Sequence, residues 1–208
     1  MVGRVDGARH ELMRRVMVIA LLAATATSSA CSRHDASASD AAVPDTLYTA
    51  EESLRRFRAP LTRVESLSPS FTTKEDVARA FVSAVTAQDV RGLALTLLSP
   101  AEFAWLYYPE NPISQPPYEL PAGIAWFELH GSSLSGARRA LSAYGGRHVT
   151  FRELECPAPA VVQGANRLWN RCTVTLVFQN GRTETARMFG SILERAGKYK
   201  LVTAANDL

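Results

Sequence analysis

The chain has 208 residues, with 23 basic and 20 acidic side chains and a net charge of +3 when histidine is neutral. Residues 1–30 hold four arginines against Asp6 and Glu11, so the rest of the chain carries 19 basic and 18 acidic groups. So even a balance gives no electrostatic case for nucleic acid or an anionic surface as partner, and about 160 residues after position 45 suffice for one domain with a real core.

The first thirty residues read as a leader. Arg4, Arg9, Arg14 and Arg15 precede a run from Val16 to Cys31 without any charge. That run is shorter than the roughly 20 apolar residues a membrane-spanning helix needs, and it ends in the small residues Thr27-Ser28-Ser29-Ala30. Basic start, short apolar middle and small-residue end describe a secretory signal peptide over residues 1–30. Met13-Arg14-Arg15 is a second, compact start for the same signal. Ser28-Ser29-Ala30-Cys31 resembles the lipobox of bacterial lipoproteins, with Ser28 standing where that family usually has an aliphatic residue. The resemblance implies cleavage before Cys31 and lipidation of its thiol, hence an exported protein held at a membrane, facing the periplasm or cell exterior. An ordinary cut near Ala30 that leaves a free cysteine is the alternative. Residues 31–45 are rich in Ser, Ala and Asp and cannot bury enough surface to order themselves, which predicts a flexible tether.

Cys156 and Cys172 are the other two cysteines. With Cys31 lipidated they form an even pair in an oxidising space, where a disulfide persists. Metal binding is the rival reading. It lacks a C-x-x-C pair and has only His148 nearby.

Residues 46–69 predict an edge segment with a short helix through Leu54, Phe57 and Leu61, and residues 70–208 a single domain. Thr72 or Thr73 caps a helix with Val77, Phe81, Ala84 and Val85 on its apolar face. Another follows Asp89 with Val90, Leu93, Ala94, Leu97 and Leu98. Ser99-Pro100-Ala101-Glu102 is a strong helix start, and that helix carries Phe103, Trp105, Leu106 and Tyr107 up to Pro109. Residues 109–121 contain five prolines and predict a loop. Beyond Pro121 a long helix carries two apolar stripes, one through Ile124, Phe127, Leu134 and Leu141, the other through Trp126, Leu129, Ala137, Ala140 and Tyr144. Two stripes predict burial on two sides. Gly131 or Gly136 is a candidate break, and Gly145-Gly146 ends the helix.

From Arg147 the period becomes two. Val149 and Phe151 alternate and the phase then slips to Leu154 and Cys156, which predicts a bulge. Cys172 to Phe178, Met188 to Leu193, and Tyr199 with Leu201 predict three more strands. Asn180-Gly181 is a hairpin signal between the second and third, and Ala196-Gly197 a turn before the fourth. Helices first and a four-stranded antiparallel meander last define an α+β fold. The element order and the segment Ala196-Gly197-Lys198-Tyr199-Lys200-Leu201-Val202 resemble the nuclear transport factor 2-like fold, in which a curved sheet wraps a long helix into a cone. The chain departs from that pattern at the proline-rich insertion 109–121 and in the long connection after Cys156. That fold hosts enzymes and binding modules alike.

No zinc-protease, nucleophile-elbow or phosphate-loop motif occurs, and neither a cofactor nor a metal is expected. The resemblance implies that a catalyst of this fold would use a base at the cone floor opposite a tyrosine. The candidates here are His130, beside Glu128, with Tyr107 or Tyr108. The bland alternative for His130 is a largely buried, hydrogen-bonded core ring. Trp105, Trp126 and Phe127, with Phe103, either line an apolar pocket or fill the core. A two-residue Asn180-Gly181 turn pairs Val174 with Arg187, which places Arg187 on the inner face for an acidic ligand, or snorkelling to the edge. The reading as a whole is an envelope lipoprotein with a non-catalytic binding or accessory module, its partner an envelope protein or a small apolar ligand. The alternative is an isomerase- or cyclase-like enzyme.

Overall fold

The computed structural model describes residues 48–208. The expected signal peptide, lipidation at Cys31 and tether therefore lie outside the described residues. The order of elements is α1 (Ala50–Arg58), α2 (Lys74–Thr86), α3 (Val90–Thr96), α4 (Pro100–Glu102), α5 (Ala122–Tyr144), then strands β1 (Val149–Glu155), β2 (Val161–Gln163), β3 (Asn166–Trp169), β4 (Thr173–Phe178), β5 (Thr183–Ala186), β6 (Ile192–Arg195) and β7 (Lys198–Leu201). It is an α+β fold, with helices in the first half packed against antiparallel sheets of three and four strands.

Helix starts follow local chemistry. Thr49, Thr73, Asp89 and Ser99 each accept a backbone N–H two or three positions inside their helix. Ser99 and Glu102 complete the capping box, an arrangement that satisfies donors the helix cannot. The helix expected to continue to Pro109 instead widens into a π-helical turn, Phe103–Tyr107, and then a 3-10 turn, Tyr108–Glu110. α3 stops at Thr96, leaving Val90 and Ala94 exposed rather than on a buried face.

α5 is unbroken. Neither Gly131 nor Gly136 interrupts it. Gly136 instead lets the C-terminal segment close in: a Cβ there would lie 1.9 Å from the Ala204 carbonyl oxygen. The C-terminal half of α5 (Ala140, Tyr144) joins α2 and the strands in one core, and its N-terminal half (Ala122, Ala125) joins the π-turn aromatics, Leu168, Leu193 and Val202 in another.

The four expected strands are seven. β1 pairs β4 with a register shift between Phe151 and Glu153, the anticipated bulge. The connection after Cys156 contains a hairpin, β2–β3, that the alternation did not reveal. The expected third strand is two strands in different sheets, β5 on β4 and β6 on β3. Met188 and Phe189 lie fully buried in the crossing between them. The chain therefore runs as a meander whose first three passes are each interrupted, at 156–160, 170–172 and 187–191. Pro157 and Pro159 lack the N–H a continuing ladder needs, which stops the first pass. β7 meets Phe71 and Leu97 through isolated bridges.

The Cys156 and Cys172 sulfurs are 2.07 Å apart, at disulfide bonding distance. They clasp the first two passes where both are interrupted, just beyond the Leu154–Val174 pair. Closing a loop of this length is worth roughly 3 kcal/mol in the chain-entropy view.

Candidate functional site

The π-turn organises the aromatic half of the domain. Tyr108 donates its N–H to the Phe103 carbonyl, and Pro109 has no N–H to offer the Ala104 carbonyl. Arg58 supplies it: Nε and Nη2 donate to the Ala104 oxygen at 3.1 and 2.8 Å. The same guanidinium lies 3.9 Å above the Trp105 ring. Burial and the nearby Arg63 charge lower the Arg58 pKa. The Leu106 carbonyl is met by Asn166 Nδ2 at 2.9 Å and Arg195 Nη1 at 3.2 Å. Cations at the C-terminal end of a helical segment complement its dipole, so both arginines act as caps on the turn.

The candidate tyrosines and the Phe103 ring fill this core. Phe103 is fully buried, and its ring centroid lies 5.2 Å from Trp126, 5.5 Å from Tyr108 and 6.1 Å from Tyr107. Tyr108 donates its hydroxyl to the Leu120 carbonyl at 2.5 Å. Burial raises the phenol pKa of Tyr107, partly offset by Asn111, and that of Tyr108. Trp105 is half-buried and walls a shallow groove of about 510 Å³ with Leu54, Arg55 and Arg58.

His130 is exposed, not the largely buried ring expected of a core histidine, and it stacks on Trp126 with centroids 5.4 Å apart. Glu128 is exposed on the same helix. The side of α5 that holds them turns outward, because α5 packs its opposite side against α1 and α2 and against core residues of the strands. Among the described residues His130 makes no hydrogen bond to Tyr107 or Tyr108. His148 is exposed at the rim of an open groove of about 540 Å³ with Ser83, Thr86, Arg147 and Gln179. No group of three metal-capable side chains forms among the described residues.

Arg187 corrects the expected register. Phe178, not Gln179, meets Arg182, so three residues form the loop, with Gly181 at φ +79°. Val174 then pairs with Ala186. Arg187 falls just past the end of β5 and binds Asp207 at 2.5 Å, the arginine side chain 39% and the aspartate 63% exposed, while the arginine Nε is buried without a partner among the described residues.

Three exposed apolar residues lie along α5. Ile124 is 49% exposed, Phe127 77% and Leu134 47%. A Cβ added at Gly123 or Gly131 would meet nothing within 4 Å. Ile124, Phe127, Gly131, Leu134 and Arg138 repeat every three and four residues, a single seam along the helix that ends at Leu141, half-buried against the core. Sequence reasoning found this stripe but buried it: two apolar faces imply two covering layers, and the described residues supply one.

The pattern missed a buried ion pair. Lys200 Nζ lies 2.9 Å from Glu102 Oε2, their side chains 2% and 1% exposed. Strand alternation had turned Lys200 outward, and nothing local distinguishes it from a surface lysine. No family model, curated protein or solved structure matches the chain.

Proposed function

We propose that the chain is a cell-envelope lipoprotein, anchored through Cys31 and tethered by residues 31–45, whose α+β domain is a non-catalytic binding or accessory module. The observation that carries the binding role is the α5 seam, an apolar face of Ile124, Phe127 and Leu134 left in solvent. Monomeric domains seldom leave a contiguous apolar stripe without a partner. An envelope protein or a small apolar ligand fits that face. The Cys156–Cys172 pair suits an exported, oxidising setting. The interrupted meander beside a long helix is in keeping with a nuclear transport factor 2-like cone. An isomerase- or cyclase-like site would need His130 enclosed against a tyrosine, whereas an exposed imidazole keeps its water and gains little as a general base.

Membrane fractionation tests the anchor. Two acyl chains hold a protein stably because each buried methylene adds about 0.8 kcal/mol. Cys31→Ala is expected to move the protein to the soluble fraction or leave an uncut precursor, and a variant that fractionates and migrates like the wild type would overturn the lipoprotein reading. Phe127→Glu tests the face. It is expected to leave the melting temperature within about 2 °C of wild type while reducing whatever the domain captures from its own envelope.

A further inference from the structure

We infer that the α5 seam is a self-association surface, on which two copies of this domain pack their α5 helices antiparallel about a twofold axis. The inference rests on reading α5 as the binding face and names its occupant.

The seam is built for a helix. Positions 124, 127, 131, 134, 138 and 141 keep the three-four spacing of a coiled-coil edge over about 27 Å of helix. In an antiparallel pair, the first and fourth heptad positions of one helix face the fourth and first of the other. That register sets Ile124 against the outer edge of Leu141 of the second copy, a residue half-buried against its own core, Phe127 against Arg138 of the second copy, and Gly131 against Leu134 of the second copy. The absent side chain at Gly131 leaves the hole that Leu134 fills, and twofold symmetry makes the fit twice. Arg138 meets the Phe127 ring as a cation over an aromatic face.

Charge decides the direction. Glu128 lies near one end of the seam and Arg138 near the other, both exposed. Neither enters an ion pair among the described residues. A parallel pairing would place Arg138 on Arg138 within the seam and leave Glu128 far from either. The antiparallel one places each carboxylate beside a guanidinium and opposes the two helix dipoles. One helix face is at the low end of specific interface sizes, which begin near about 1,000 Å² in total. Pairing is therefore weak in dilute solution and strengthened when a lipid anchor confines the copies to one membrane.

The test uses the full-length protein in its own membrane, with a benzoyl-phenylalanine photo-crosslinker replacing Phe127. Irradiation is expected to yield a covalent dimer whose crosslink maps to residues 137–141. With the crosslinker kept, Glu128→Arg or Arg138→Glu alone is expected to lower the dimer yield about tenfold, and the two together to recover part of it, short of the cation–aromatic contact that Arg138 supplies. These side chains are exposed, so an unchanged melting curve shows that each variant folds. An adduct to another protein or to lipid, or a double variant that fails to recover, overturns self-pairing and leaves the binding face standing. No adduct at all, together with a silent Phe127→Glu, overturns both.

Discussion

Lys200→Met isolates the buried ion pair. The Glu102 carboxylate accepts from the Ser68 N–H at 2.7 Å on Oε1, and from the Ser99 N–H at 2.8 Å and Lys200 Nζ at 2.9 Å on Oε2. It thereby joins the 66–69 loop, the start of α4 and strand β7. Methionine keeps most of the lysine's apolar stem, so the packing change is small, under about 1.5 kcal/mol. What remains is a carboxylate 1% exposed without its cation. Breaking a buried pair in this way costs about 3–5 kcal/mol. For a domain of this size each kcal/mol lowers the melting temperature by about 2–4 °C, so the variant should melt roughly 6–20 °C lower. Adding Glu102→Met should not rescue it, because the Ser68 and Ser99 N–H groups then lose their acceptor. Thermal melting followed by circular dichroism measures all three proteins. A Lys200→Met domain melting within 2 °C of wild type, or a double variant as stable as wild type, would refute the account.

His130→Ala should change stability by less than about 0.5 kcal/mol, the usual range for an exposed site, as read from urea denaturation; a loss above 1 kcal/mol would mean that the stack on Trp126 matters to the fold. Tyr144 gives a pH signature. Burial first, then its hydrogen bond to Glu184 at 2.6 Å and that group's charge, push its phenol up to about 12. A raised pKa in the folded state means that the unfolded chain loses this proton first, so the contribution is whole below pH 10 and fades as the pH approaches 12. Ultraviolet titration should show one phenol fewer near pH 12 in Tyr144→Phe, and an identical profile would contradict the burial.

Local chemistry determined much of this protein before any tertiary contact was known. Thr73, Asp89 and the Ser99–Glu102 box cap their helices because a side-chain oxygen within three residues is sufficient to do so. The bulge near Phe151 and the pairing of Cys156 with Cys172 were likewise legible, since a phase slip and an even cysteine pair are properties of the string itself. Three matters were decided only by the fold. The turn at Gly181 holds three residues rather than two, and that single count pairs Val174 with Ala186 instead of Arg187. Lys200 is buried because Glu102, distant in sequence, is folded against it. Periodicity measures how apolar a helix face is, while the number of layers that cover it depends on where the sheets lie. That is why the second stripe of α5, with Phe127 at its centre and His130 close by, faces water.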